Sequence, residues 1–195
     1  MYHFFVEPHQ IGAEEIRIEG ADVNHIRNVL RMKPGEEILI SSREGGDYFC
    51  RVEKLEPEYV SAKILEEWEN KELPARIHLF QGLPKGDKME LIIQKAVELG
   101  AYRVVPVSMK RSVVKLDAKK ADAKRKRWNA VSESAAKQSK RSLIPEVAPL
   151  MNYKEAVKEA AGYDMVLLPY ESADGIRKTR ELLASVKPGT DIAVF

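Results

Sequence analysis

The strongest constraint in this sequence lies between residues 76 and 107, where strand, loop, helix and strand follow one another. Arg76–Phe80 is a short apolar run, and Gly82-Leu83-Pro84-Lys85-Gly86 interrupts it. Asp87 then opens a helix, with Glu90 three residues on at capping-box spacing. Met89, Ile92, Ile93, Ala96 and Val97 recur at helical period and mark its buried stripe. Gly100 stands where a left-handed residue closes a helix, and Arg103–Val107 is a second strand. Strands joined through a helix pair in parallel, with a right-handed crossover, because the helix carries the chain back to its starting edge. This part of the chain is therefore α/β.

The pattern continues beyond it. Ala118–Ser139 reads as one long helix, with Trp128, Val131 and Ala135 toward a core and Lys120, Lys124, Arg127 and Lys137 largely off that stripe. Tyr153–Ala161 is a helix ended by Gly162, and Met165–Leu168 is a strand running into Pro169-Tyr170-Glu171. Ile176–Val186 is a helix and Asp191–Phe195 a strand. Residues before Pro74 read differently. Met1–Val6, Ile16–Ile18, Glu37–Ser41, Tyr48–Leu55 and Tyr59–Leu65 are short runs rich in Val, Ile, Tyr and Phe, divided by Pro34-Gly35 and Gly45-Gly46. Such a pattern suits a small antiparallel barrel. One helix interrupts it at Ala21–Arg31, where Val23, Ile26, Val29 and Leu30 share a stripe. Polar residues 66–75 form a linker. The boundaries implied are a first domain over 1–72 and a second over 73–195.

Composition excludes several classes. A lone Cys50 rules out a disulfide scaffold and a cysteine-based zinc cluster, and it reads as a core residue of its strand. No apolar run approaches a membrane span, and the first residues lack the features of a signal peptide. The expected compartment is the cytoplasm. Net charge is only +2, yet residues 110–142 carry 12 basic and 3 acidic side chains, net +9. A nearly one-signed block attracts phosphate backbones by counterion release. A solvated helix face is the plainer reading, but the block lacks the interleaved Glu that stabilises such a helix by i,i+4 pairing.

Catalytic signatures are scarce. His3, His9, His25 and His78 show no metal-binding spacing, so no metal is expected, and no nucleophile-elbow or Walker pattern occurs. The Gly82–Gly86 loop precedes a helix that could receive a phosphate. It lacks the Gly-Lys-Ser/Thr of a P-loop, and Asp87 opposes an anion there, so a simple turn is the better reading. Trp68 and Trp128 read as core before they read as base-stacking platforms.

Several motifs coincide with one family. Asn24-His25-Ile26-Arg27-Asn28-Val29-Leu30-Arg31-Met32 resembles the hallmark of the N-terminal PUA-like domain of RsmE-type ribosomal RNA methyltransferases. Leu83-Pro84-Lys85-Gly86-Asp87-Lys88-Met89-Glu90 and Gln94–Ala101 resemble the start of its SPOUT catalytic domain. Arg111-Ser112-Val113-Val114-Lys115, Ala135–Arg141 and Ile144-Pro145 match in the same order. The resemblance implies a PUA-like β-barrel followed by an α/β SPOUT domain of the trefoil-knot type. It also implies transfer of a methyl group from S-adenosylmethionine to N3 of one uridine in 16S ribosomal RNA of the small subunit, by a homodimer. It places His25, Arg27 and Arg31 in the first domain, with Arg111, Lys115, Lys137 and Arg141 in the second, on an RNA-binding platform. Leu168, Pro169, Tyr170 and Glu171 would form part of the cofactor pocket. It names no catalytic base; Glu171 and Gln138 are candidates by type only.

The family's Gly-Pro-Glu-Gly-Gly loop and Leu-Arg-Thr-Glu-Thr-Ala-like segment have no counterpart here. The sequence is therefore expected to be a C-terminally truncated form that binds cofactor poorly and is inactive alone. Two rival readings are a non-catalytic RNA-binding or ribosome-assembly module and a nucleotide-binding α/β enzyme using the Gly82–Gly86 loop.

Overall fold

A computed structural model describes residues 1–43, 45–110, 116–170 and 177–195. The chain divides into two units, Met1–Glu72 with Ala136–Ile144 and Leu73–Ala135 with Pro145–Phe195. The break at 72/73 coincides with the polar linker. Residues 136–144, expected in the second domain, cluster instead with the first unit.

The first unit is a five-stranded sheet in the order β1 (Tyr2–Val6), β3 (Glu37–Ser42), β4 (Asp47–Leu55), β5 (Tyr59–Glu67), β2 (Glu15–Glu19). Only β1 and β3 run parallel; the other ladders are antiparallel. All five strands supply one apolar cluster that includes Phe4, Ile16, Ile18, Ile38, Ile40, Val52 and Val60. A sheet whose two edge strands share a core must curl around it. Register shifts after Phe49 and Val52 on β4 assist, since a bulge adds local twist. Among the described residues no ladder joins β1 to β2, so the barrel is partly open.

Helix α1 (Ala21–Asn24) runs into a π turn over His25–Val29. Val23 and Ile26 are buried in the cluster, but Val29 is 61% exposed. The α-helical stripe expected over Ala21–Arg31 fails at Val29 because the Leu30 N–H reaches back five residues to the His25 carbonyl (2.8 Å). The wider turn rotates Val29 away from the core.

The second unit has a parallel sheet in the order β10 (Met165–Leu167), β11 (Asp191–Val194), β6 (Arg76–Gly82), β7 (Arg103–Ser108), β8 (Glu146–Val147), with β9 (Met151–Asn152) also on β7. Between β6 and β7 lies α2 (Lys88–Glu98), whose Met89, Ile93 and Val97 are buried. The parallel β6/β7 pair and the stripe agree with the sequence reading. The capping box does not: Asp87 makes no side-chain cap, and Glu90 instead receives Arg127 (Nε–Oε1 2.7 Å). A true capping box forms at α4 (Tyr153–Ala160), where Asn152 and Glu155 exchange hydrogen bonds.

Helix α3 (Ala118–Ser139) buries Trp128, Ser132 and Ala135. Asn129 clamps β8, donating to the Val147 carbonyl and accepting from the Val147 N–H, each at 3.0 Å. Helix α5 (Arg177–Ala184) precedes β11. No helix among the described residues is long and apolar enough to cross a membrane.

At the end of α2, Gly100 has φ +99°, and a Cβ there would lie 2.6 Å from Leu73 Cδ1. Gly100→Ala is expected to destabilise the second unit by roughly 1–3 kcal/mol through backbone strain and this clash. Urea unfolding measures it, and an unchanged midpoint would contradict the assignment.

Candidate functional site

In the first unit, three sequence-predicted cations share one short stretch. His25 is exposed on the π turn, its ring edge toward Phe4 at 6.5 Å between centroids. Arg27 is half-buried on the same turn, and Arg31 is exposed just beyond it with φ +53°. Lys137 joins them, because its Nζ lies 3.1 and 3.2 Å from the two carboxylate oxygens of Asp22, three residues before His25. Lys137 and Arg141 thus group by contact with the first unit, although the sequence places them in the second domain. Arg111 and Lys115 lie outside the described residues.

Arg141 is committed elsewhere. Its Nε donates to both oxygens of Glu72 at 2.9 and 2.8 Å, and the N–H groups of Ser142 and Leu143 donate to the same carboxylate at 2.8 and 3.3 Å. With its side chain 9% exposed, Arg141 supports the segment rather than presenting its charge. Lys140, which the sequence reading passed over, is exposed between them with φ +56°. A positive φ at a non-glycine is the signal that finds it, and sequence alone does not show it.

His3 lies behind this segment. Its buried Nε2 is 2.8 Å from Ser41 Oγ, whose hydroxyl donates to Asp47. Burial is the main cause that pushes His3 down to about 4; Asp47 opposes the shift, while Lys137 and Lys140 add to it. His3 is therefore neutral at physiological pH, and its Nδ1 has no hydrogen-bond partner.

The remaining basic block is less bare than its composition suggests. Lys120 pairs with Asp117 (3.2 Å), Arg125 and Lys126 with Asp122 (3.6 and 3.1 Å), Lys124 with Asp87 (3.9 Å) and Arg127 with Glu90. Two aspartates at i,i+3 and i,i+4 take the place of the missing interleaved glutamates. Exposed pairs of this kind contribute about 0–1 kcal/mol each, so a phosphate can displace the acid.

The second unit holds a cavity of about 250 Å³ lined by Tyr153, Val157, Ala160, Ala161, Val166, Leu168 and Phe195. Leu168 and Phe195 follow directly on β10 and β11, so the cavity opens at the carboxyl ends of a parallel sheet, where ligands bind in such folds. Phe195 stacks on Phe80 (4.8 Å, 15°) and meets Tyr153 edge-on. At the other end of β11, Asp191 accepts from Arg76 Nε and from His78 Nε2, both at 2.8 Å. Burial works against the Asp191 carboxylate, yet His78 and Arg76 hold it below its ordinary range.

Of the expected cofactor residues, Leu168 lines the cavity. Pro169 and Tyr170 are exposed beyond it, and Glu171 lies outside the described residues. The wall residues Tyr153, Val157 and Phe195 escaped the sequence reading because apolar contacts carry no motif. Among the described residues the Gly82–Gly86 loop borders a cavity of about 30 Å³, about the space of one water and too small for a nucleotide.

Comparison with known proteins also separates two domains, with residues 136–144 inside the second. Residues 71–195 match a family model described as an RNA methyltransferase domain, and residues 18–65 one described as an RNA methyltransferase PUA domain. The chain is 39% identical over 178 residues to ribosomal RNA small subunit methyltransferase E of Bacillus subtilis, covering 89% of this chain and 69% of that protein. It is 30% identical over 164 residues to the Mycobacterium bovis protein of that name, covering 82% of this chain and 63% of the relative. The crystal structure of a ribosomal RNA small subunit methyltransferase E from Neisseria gonorrhoeae bound to S-adenosyl methionine aligns with a TM-score of 0.76 at 28% identity, covering 100% of this chain and 79% of that one.

Two outcomes follow from the first unit. Glu72→Ala removes the carboxylate shared by Arg141, Ser142 and Leu143 and is expected to destabilise by about 3–5 kcal/mol, read by urea unfolding; a loss under 1 kcal/mol would contradict the role given to the pair. His3 is neutral in both states above its ordinary value of 6.5, and below it the unfolded chain protonates first. Stability should then fall by about 1.4 kcal/mol per pH unit toward pH 4, where the folded His3 protonates too and the loss levels off. His3→Asn should remove that part of the slope in pH-dependent unfolding, and an identical slope would contradict the assignment.

Proposed function

Because this chain belongs to the ribosomal RNA small subunit methyltransferase E family, we propose that it serves the methylation of uridine N3 in 16S ribosomal RNA of the small subunit, in the cytoplasm, with S-adenosylmethionine as donor and as a homodimer. The observation that carries the reading is the apolar cavity at the carboxyl ends of β10 and β11. Its dimensions and two aromatic rings, Tyr153 and Phe195, suit a flat heterocycle such as adenine. Among the described residues no lining side chain is charged, so none of these repels a sulfonium cation. The lining residues thus fit the nucleoside end of the donor, and Leu168, with Pro169 and Tyr170 next to it, would border the rest. When bound, S-adenosylmethionine supplies an electrophilic methyl group.

The protein's own residues have two tasks. One is to present an unpaired uridine, since N3 is occupied in a Watson–Crick pair and must be exposed before it reacts. His25, Arg27, Arg31 and Lys137 form the part of the first unit proposed to grip the RNA backbone; phosphate contacts set the register that lets a pocket read the base. Arg111 and Lys115 are proposed to extend that grip, and Arg141 to hold it in shape. The second task is to favour loss of the N3 proton. Cations near the base stabilise the uridine anion, and holding the reactants in line can lower the barrier by up to about 7–11 kcal/mol.

Transfer of labelled methyl from S-adenosylmethionine to isolated small ribosomal subunits tests the reading. Label in an N3-methyluridine nucleoside is the expected product, and label confined to another base would overturn the proposal. Ala161→Trp, which fills the cavity from an exposed position, should weaken cofactor binding at least tenfold by calorimetry while RNA binding persists. Unchanged cofactor affinity would remove the cavity from the account.

A further inference from the structure

We propose that Lys140 joins Arg31 as a phosphate-binding residue, and that both are held at left-handed helix ends that glycine would occupy with less strain because their charge is needed there. This deepens the RNA-binding reading of the first unit and rests on it.

Three helix ends close in related ways. At the end of α2, the Ala101 N–H reaches the Ala96 carbonyl (2.9 Å) and the Gly100 N–H the Val97 carbonyl (3.1 Å), with Gly100 in the left-handed region. The end of α3 repeats the pattern: the Arg141 N–H reaches Ala136 (3.0 Å) and the Lys140 N–H reaches Lys137 (3.4 Å). The π turn closes in a version one residue wider, with the Met32 N–H on the Ile26 carbonyl (3.1 Å) around Arg31. Glycine is favoured at such a position because it has no Cβ, and asparagine is the next choice. The second unit follows that rule at Gly100. In the first unit, Arg31 and Lys140 are the only non-glycine residues with positive φ among those described, and both are cations.

The helix dipole does not explain this choice. It favours a cation anywhere in the last turn, and Lys137 already supplies one to α3, as Lys95 does to α2, where glycine still holds the cap. Retained strain at an exposed residue points to a ligand. The ligand chemistry follows from the side chains: a mobile point charge and a bidentate fork, both exposed, on the two segments that carry Lys137 and His25, match phosphodiester oxygens. His3 beside Lys140 is neutral and adds no competing charge.

Filter binding of small-subunit ribosomal RNA across a salt series tests this with Lys140→Gly, Arg31→Gly, Lys140→Asn and Lys140→Arg. Each Gly variant should melt at the wild-type temperature or above, while the slope of log K against log salt flattens by about 0.7–0.9 per cation removed. Lys140→Asn, which tolerates the same backbone without charge, should behave as Lys140→Gly; Lys140→Arg should keep the wild-type slope. Gly variants with an undiminished slope, or with a lowered melting temperature, overturn the inference while leaving RNA binding intact. A wild-type protein that binds no RNA overturns the reading beneath it.

Discussion

The first unit depends on what the Glu72 carboxylate holds. It accepts from the Arg141 guanidinium and from the N–H groups of Ser142 and Leu143, so a single side chain satisfies a buried cation and two backbone donors. Without it, residues 136–144 would lose the carboxylate that satisfies a buried cation and two backbone donors at once. The consequence is functional. The last turn of α3 carries Lys137 and Lys140, and the Glu72 anchor fixes the segment whose Lys137 reaches Asp22, three residues before His25. A charged platform assembled from residues more than 100 positions apart is rigid only if one of its own cations is buried to hold it.

The second unit achieves the same end with hydrophobic and hydrogen-bonded parts. Arg76 and His78 hold Asp191 at one end of β11, and Phe80 stacks on Phe195 at the other. Both ends of the strand are thereby tied to β6, and Phe195 is set in the cavity wall. An apolar pocket needs this support, because its lining has no directional bonds of its own.

Much of this architecture is legible in the sequence. The β6–α2–β7 unit is written in three overlapping signals, the apolar run, the helical stripe and Gly100, and each alone would be ambiguous. Long-range polar contacts are not written in this way. Nothing near Glu72 marks it as the partner of Arg141, and nothing near Lys137 marks Asp22. The family match over residues 71–195 keeps Lys137 and Arg141 in the second domain, whereas their long-range contacts tie them to the first unit, and no local signal announces those contacts. Val29 failed for a local reason: one extra residue in a π turn shifts the register, and no propensity announces it. The basic residues of 110–142 were legible as a group, whereas the burial of Arg141 against Glu72 was not.

The account stands on the claim that the first unit meets RNA through the end of α3 and the π turn. Lysine acetylation read by mass spectrometry, with and without small-subunit ribosomal RNA, addresses it directly. The account predicts strong protection of Lys137 and Lys140 by the RNA, with Lys54 and Lys63 on strands β4 and β5 reacting as in the free protein. Protection of Lys54 and Lys63 while Lys137 and Lys140 react unchanged would contradict it.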